Sequence, residues 1–203
     1  MGLNPAGVRR VGVYGGAFDP PHVTHVALAQ AAVRQLQLDA LHILPTGQAW
    51  HRAQQTSAAQ HRLAMAQLAF AQVQGAVVDA REIERHGPSY TVDSLRELQT
   101  LYPRALLHLI IGADQARALE QWHAWQDIVA MAVLVIAARI DAAEPLEPEA
   151  PPGARYHYLQ LAPVDTSATH IRQRVASGQG IAHLVPDAVA RYIAQHHLYH
   201  TAR

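Results

Sequence analysis

Half of the 203 residues are hydrophobic and 16 basic side chains balance 16 acidic ones, so the chain has neither a polybasic surface for nucleic acid nor an acidic disordered tail. The absence of cysteine excludes disulfides, thiolate zinc sites and cysteine nucleophiles, and an anionic partner must be held by a local site instead of a global field. No apolar run reaches membrane-spanning length and the opening MGLNPAGVRR lacks the apolar core of a signal peptide, so a soluble, cytoplasmic protein with no membrane partner is expected.

In chain order, short apolar runs at residues 10–14, 41–44, 76–78, 106–111, 133–137 and 156–161 predict strands. Several are continuously apolar, as strands covered on both sheet faces should be. Amphipathic stretches at 26–36, 58–73, 92–101 and 116–131 predict helices, joined by a short helix from about Ala168 and a last one opened by VPDAV. Strand and helix in alternation predict βαβ crossovers and a largely parallel sheet. The proline- and glutamate-rich segment 140–154 reads as a surface loop within one domain spanning 8–200, after an N-terminal tail at 1–7.

Two stretches carry chemistry. In VGVYGGAFDPPHVTH, Gly15 and Gly16 follow the first strand, where backbone must approach a ligand closely and where a positive φ is expected. A helix starting around Pro21–His22 turns its free N–H groups and positive dipole end toward that ligand, which suits phosphate. His22 and His25, at i and i+3, share a face there and can donate to phosphate oxygens. The bland alternatives are a plain tight turn and a zinc half-site, but the glutamate of HExxH is missing and no third ligand stands out. In TSATHIRQRVASG, Ser167 is a plausible N-cap, Gly178 a stop signal, and Arg172 lies one turn into the helix, a pattern that suits a second anion site but that, standing alone, reads more simply as an ordinary capped surface helix.

GGAFDPPHVTH resembles G-G-(T/S)-F-D-P-x-H-x-G-H, the signature of the HxGH-type nucleotidyltransferase superfamily. Ser167, Ala168, Thr169, Ile171 and Arg172 match the second signature of that superfamily, (I)-S-(S/A)-T-x-I-R. From about Val11 to Tyr199 the chain is similar to the bacterial nicotinate mononucleotide adenylyltransferases within it. The resemblance implies a Rossmann-like, doubly wound, mostly parallel sheet with helices on both faces. It implies ATP and nicotinate mononucleotide as partners, with Mg²⁺ held mainly through the ATP phosphates and no protein metal cage. Oligomeric state is not legible, and a homodimer fits as well as a monomer.

What the resemblance implies for single residues follows the same motifs. His22 and His25 contact the ATP phosphates and stabilise the transition state, with Arg172 as their distant partner. Gly15, Gly16, Ala17, Phe18 and Thr24 line the ATP site; Ser167 and Thr169 serve the β- and γ-phosphates; Arg139 lies near the nucleotide. The mononucleotide falls to three segments. LPTGQAWHR contributes Thr46, His51 and Arg52. PSYTVDSL contributes Tyr90 and Thr91, with Thr91 able to cap a helix whose start binds the pyridine carboxylate. IIGADQARALEQWHAW contributes Gly112, Asp114 for a ribose hydroxyl, and Trp122 as a stacking platform, with Trp125 three residues on along one helix face as packing. Two positions depart from the pattern. Thr24 stands where glycine is usual and adds a branched side chain against adenine, and Ala17 replaces a hydroxyl residue. Two other readings share these features: a different transferase of the superfamily, such as a pantetheine-phosphate adenylyltransferase, and a nucleotide-binding regulator that keeps the pocket without turnover.

Overall fold

A computed structural model describes residues 7–48, 56–139, 150–161 and 166–200. Six parallel strands form one sheet: β1 (Arg10–Gly16), β2 (Ala40–Pro45), β3 (Ala76–Val78), β4 (Leu106–Gly112), β5 (Ala132–Arg139) and β6 (Tyr156–Leu161). Their order across the sheet is β3-β2-β1-β4-β5-β6. The chain runs outward from β1 to one edge, then returns to β4 on the other side of β1, so a topological switch point lies between β1 and β4. Crevices for ligands open at the carboxyl ends of the strands flanking such a point. The segments following β1, β2 and β4 all carry motif residues.

The helices are α1 (Val23–Leu36), α2 (Ala59–Phe70), α3 (Arg81–Glu84), α4 (Thr91–Leu101), α5 (Ala113–Arg117), α6 (Trp125–Met131), α7 (Ala168–Ala176) and α8 (Asp187–Gln195). Because side chains alternate along a strand, each strand feeds two cores. Tyr14, Leu41, Ile43 and Ile110 join Leu28 and Ala32 of α1, Met65 and Phe70 of α2, Ile171 of α7 and Val189 and Ile193 of α8. On the opposite face Val11, Val13, Leu107 and Leu109 pack with Leu95 and Leu98 of α4 and Ile128 of α6. The fold is thus an α/β layer structure with helices on both faces, as the alternating pattern predicts.

The strands fall where predicted, each within two residues at either end. The stretch 116–131 does not: it is broken into α5, a 3₁₀ turn at Leu119–Gln121, and α6. The apolar spacing survives, with Ala116, Leu119 and Ile128 all buried, but the backbone leaves the helix at Trp122 (φ −78°, ψ 146°) and enters the left-handed region at Ala124 (φ 52°). Tertiary packing overrides the local period here, and Trp122 and Trp125 therefore do not share a helix face. The four-residue helix α3 is not foreshadowed by periodicity. Asp79 sets it up instead, accepting the Arg81 N–H at 3.1 Å as an Asx turn.

Candidate active site

The glycine turn owes its shape to Phe18 more than to its glycines. Neither Gly15 nor Gly16 adopts a positive φ, which corrects the expectation for them; Phe18 does (φ 49°). That conformation is held by edge-on packing of its ring against Tyr14 at 5.5 Å, Phe70 at 5.4 Å and His25 at 5.2 Å. A Cβ at Gly16 would sit 3.0 Å from the Phe18 ring, a tight contact that the ring would have to yield to, whereas a Cβ at Gly15 would meet nothing within 4 Å and point into open space. The Asp19–Pro20 peptide is cis.

The loop is pinned from outside by groups the motif alone does not reveal. Arg62 of α2, only 3% exposed, donates to three carbonyl oxygens: Ala17 at 3.0 Å, Ser57 at 3.0 Å and Gly47 at 3.3 Å. One planar guanidinium thus ties the turn after β1 to the turn after β2 and to the lead-in of α2. The buried Asp19 carboxylate accepts the Ser57 N–H at 3.0 Å and the Tyr199 hydroxyl at 2.6 Å. Its own carbonyl accepts from Arg172 Nη1 at 2.7 Å. Thr46 N–H closes the ends of β1 and β2 together on the Gly16 carbonyl at 2.9 Å.

At the mouth of this loop His22 is the N-cap residue of α1 and His25 its third residue. Their rings stack, centroids 3.6 Å apart and 25° between planes. The His22 N–H donates to His25 Nδ1 at 3.1 Å. A neutral imidazole that accepts at one nitrogen carries its proton on the other, so His25 presents Nε2–H as a donor. His22, 5% exposed, leaves its Nδ1 buried with no partner among the described residues. Burial lowers the His22 pKa to about 4, and burial followed by the charge of His22 lowers that of His25 well below its ordinary value. The pair is therefore neutral at physiological pH in the free protein. Two stacked neutral rings with spare nitrogens can donate hydrogen bonds to an anionic ligand. Among the described residues no three His, Asp or Glu side chains gather as a metal-binding group.

Ser167 caps α7, its Oγ accepting the His170 N–H at 3.2 Å, and Gly178 (φ 69°) follows the helix end, both as predicted. Arg172 uses Nη2 on Thr169 Oγ1 at 3.2 Å and Nη1 on the Asp19 carbonyl. Both partners are neutral oxygens, and among the described residues no carboxylate pairs with Arg172, so its charge remains available to an anion. Sequence-distant signatures thus meet, with α7 bonded to the residue three before His22. Thr24 enters α1 with its Oγ1 buried and, among the described residues, without a partner.

The second group of motif residues is organised by backbone contacts. Gly47 lies under the Glu82 carbonyl, which a Cβ would approach to 1.9 Å, so only glycine fits after β2. Gln48 and Pro88 form a parallel bridge, and the Ser89 N–H donates to the Gln48 carbonyl at 2.9 Å. The LPTGQ and PSYT segments are therefore neighbours. Thr91 does not cap α4: Tyr90 is the N-cap residue and Thr91 the first helical one. The Tyr90 ring lies 4.3 Å from that of His123. Gly112 ends β4, its N–H bonded to Gln115 Oε1 at 3.0 Å, with Asp114 exposed one residue beyond Ala113. Trp122 is half-buried against the core beneath α4 and α6. His51 and Arg52 lie outside the described residues, and for Arg139 only the backbone, at the end of β5, is described.

Arg62, Asp19 and Tyr199 are the residues that sequence reasoning missed as parts of the site. Asp19 sits inside the quoted motif, but nothing local shows what its carboxylate does. Arg62 is a buried arginine in an amphipathic stretch and Tyr199 reads as packing of a last helix.

The family model described as cytidylyltransferase-like matches residues 13–174, which takes in both signatures. A protein of Albidiferax ferrireducens named probable nicotinate-nucleotide adenylyltransferase is 52% identical, with 96% of this chain and 100% of the relative covered. One of the same name from Methylibium petroleiphilum is 41% identical over 97% of this chain and 95% of the relative. The nicotinic acid mononucleotide adenylyltransferase of Plasmodium falciparum, solved in complex with NaAD, superposes with a TM-score of 0.77 at 15% identity, covering 94% of this chain and 97% of that one. That last likeness speaks for the fold; the sequence matches carry the membership. Stacked imidazoles on a helix start, an unneutralised arginine bonded into the same loop, and these relatives agree: the chain belongs to the nicotinate-nucleotide adenylyltransferase family, within the cytidylyltransferase-like nucleotidyltransferases.

Proposed function

We propose that this chain transfers the adenylyl group of ATP to nicotinate mononucleotide, yielding nicotinate adenine dinucleotide and pyrophosphate, a step of NAD biosynthesis. A 5′-phosphate oxygen of the mononucleotide attacks the α-phosphorus of ATP. The P–O bond to the β-phosphate breaks as the new one forms, and pyrophosphate leaves with the electron pair. No covalent enzyme intermediate is needed, so positioning and charge stabilisation carry the catalysis.

The single observation that carries this reading is the His22–His25 stack facing the same loop that binds Arg172. Charge grows on the bridging and non-bridging phosphate oxygens in the transition state. His25 Nε2–H is a preorganised donor to those oxygens, held in its tautomer by the His22 N–H. Arg172 supplies full positive charge to the leaving phosphates, and the N-terminus of α1 adds its dipole. On the acceptor side, the segments Thr46–Gln48 and Tyr90–Thr91, together with Gly112, Asp114 and Trp122, bind the mononucleotide, with His51 and Arg52 serving its acidic groups.

Mg²⁺ fits as a passenger of the substrate. The donors at the phosphate end are imidazole and guanidinium N–H groups, which bind phosphate oxygens. When bound through those oxygens, the ion neutralises charge on the triphosphate.

The test is pyrophosphate release from ATP with nicotinate mononucleotide, nicotinamide mononucleotide and phosphopantetheine offered in turn. Turnover with the first and little with the third supports this reading. Turnover with phosphopantetheine alone, or ATP binding without any release, overturns it.

A further inference from the structure

The last described turn of the chain reaches back into the active-site loop. After α8 ends at Gln195, His197 takes a left-handed conformation (φ 50°) and the Leu198 N–H bonds to the Ile193 carbonyl at 3.1 Å, closing a Schellman-type end. Glycine is the usual occupant of such a position. Two residues later Tyr199 is left-handed again (φ 66°), a conformation that a bulky aromatic residue rarely adopts. Backbone strain of this kind persists only where the surroundings over-determine it.

What over-determines it here is the hydroxyl. Tyr199 Oη donates to Asp19 Oδ1 at 2.6 Å, a charge-assisted bond, and sits 3.8 Å from Met65 Sδ. Asp19 is buried, and its three oxygens go to three parts of the chain: Oδ1 to Tyr199, Oδ2 to the Ser57 N–H ahead of α2, and the carbonyl oxygen to Arg172 of α7. It stands three residues before His22. Any turn of the Asp19 carboxylate therefore moves the peptide that anchors Arg172 and the backbone that leads into the histidine pair.

We infer that Tyr199 is a positioning residue for adenylyl transfer: through Asp19 it sets the relative placement of the His22–His25 pair and the Arg172 guanidinium. The inference rests on the transferase reading above. The phenol touches no substrate. It fixes one oxygen of a carboxylate whose other links are made to the groups that do. Losing that bond leaves a buried carboxylate oxygen unmet, and Asp19 then turns to find water or the nearby arginines. The phosphate donors would lose their alignment while the pyridine end stays as it was.

The experiment compares steady-state kinetics of the full chain and of Tyr199→Phe, which removes one oxygen and keeps the ring. Misplacement of about 1 Å in a phosphoryl-transfer site costs up to about a hundredfold in rate, so kcat should fall by at least about tenfold. The KM for nicotinate mononucleotide should stay within about twofold of that of the wild type, since that part of the site is untouched. Asp19→Asn should lower kcat similarly, and the double variant should be no slower than Asp19→Asn alone, because both act through one bond. Tyr199→Leu, which also removes the ring packing, should lower the thermal midpoint further without adding to the kcat loss per folded molecule. An unchanged kcat in Tyr199→Phe, additive losses in the double variant, or a kcat that tracks the thermal midpoint across the series would each overturn the inference. Absence of turnover by the wild type with every mononucleotide would instead overturn the transferase reading on which it stands.

Discussion

Two buried histidine sites in this molecule look alike from the sequence and differ in one respect. His42, in the middle of β2, has both ring nitrogens occupied: Nδ1 by Asp79 at 2.8 Å and Nε2 by the Tyr102 hydroxyl at 3.1 Å. Burial alone would raise the Asp79 pKa, but hydrogen bonds from His42 and Arg81 outweigh it and hold that carboxylate well below its usual range. His22, equally buried, keeps a nitrogen with no partner among the described residues. A satisfied buried histidine is part of the core. An unsatisfied one costs about 1–3 kcal/mol for its missing bond, and that cost persists where a ligand removes it. The contrast separates structure from chemistry without reference to motif.

The largest effects should come from exchanging the two sites' fates. His25→Ala should cut kcat by roughly a hundred- to a thousandfold, the usual consequence of losing one preorganised donor to developing charge, while the KM for ATP moves only a few-fold. His42→Ala should leave kcat per folded molecule unchanged and lower stability by about 2–4 kcal/mol, since it opens a cavity and strands Asp79 and Tyr102. Single-turnover rates beside denaturant unfolding of both variants separate the two. Equal losses of kcat would mean that the unpaired nitrogen carries no information.

Arg172→Lys comes next. A lysine keeps the charge but cannot span the Asp19 carbonyl and Thr169 Oγ1 with one planar fork. kcat should fall by roughly ten- to a hundredfold, with the KM for nicotinate mononucleotide unchanged. Full activity would show that charge alone, without the tether to Asp19, is what the site needs.

The same contrast predicts how stability responds to acid. The His22 pKa falls from an unfolded value of 6.5 to about 4 on folding, because burial disfavours its charged form. Between those two values the unfolded chain binds a proton that the folded chain does not. Stability is therefore full above pH 6.5 and declines as pH falls toward 4, by up to about 1.4 kcal/mol per pH unit for each such group. His25 and the strand residue His108 add in the same direction. Asp79 and Asp39, whose values are lowered, contribute stability that is lost only at lower pH still. Unfolding free energies measured from pH 7 to 4 should slope less in His22→Ala than in the wild type. A parallel slope would show that the ring is hydrated in solution.

How far all this was legible beforehand depends on whether the determining contact is local. The buried strands were, because a sheet covered on both faces demands unbroken apolar runs. So were the Ser167 cap and the histidine spacing, which are properties of a few adjacent residues. The break within 116–131 was not: Ala116, Leu119 and Ile128 keep a helical period although the chain leaves the helix at Trp122 and Ala124. Nor was the cap of α4, where Thr91 is one residue too late. The struts of the site were invisible for a further reason. Arg62, Arg172 and Tyr199 reach loop partners 45, 153 and 180 residues away, and two of those three partners are backbone carbonyls, which have no sequence signature.

Thr24 is the smallest and most instructive case. Against the signature that GGAFDPPHVTH resembles it places a β-branched side chain on the first turn of α1, and its Oγ1 is buried without a partner among the described residues. A buried hydroxyl left unmet destabilises the protein by about 1–3 kcal/mol, so an isosteric Thr24→Val should stabilise it by about 1 kcal/mol in denaturant unfolding. Thr24→Gly removes the same hydroxyl but gives up a few tenths of a kcal/mol of helix propensity relative to threonine and about 0.8 kcal/mol for the lost methyl group, so its net stability should change little. The two variants therefore part in function. If the branched side chain crowds the adenine base, Thr24→Gly lowers the KM for ATP and Thr24→Val leaves it unchanged. If the hydroxyl instead bonds to the nucleotide, Thr24→Val raises that KM and Thr24→Gly does not lower it. Bulk is the expected cause, because the departure from glycine adds volume first and an oxygen second; a raised KM in the valine variant would reverse that order.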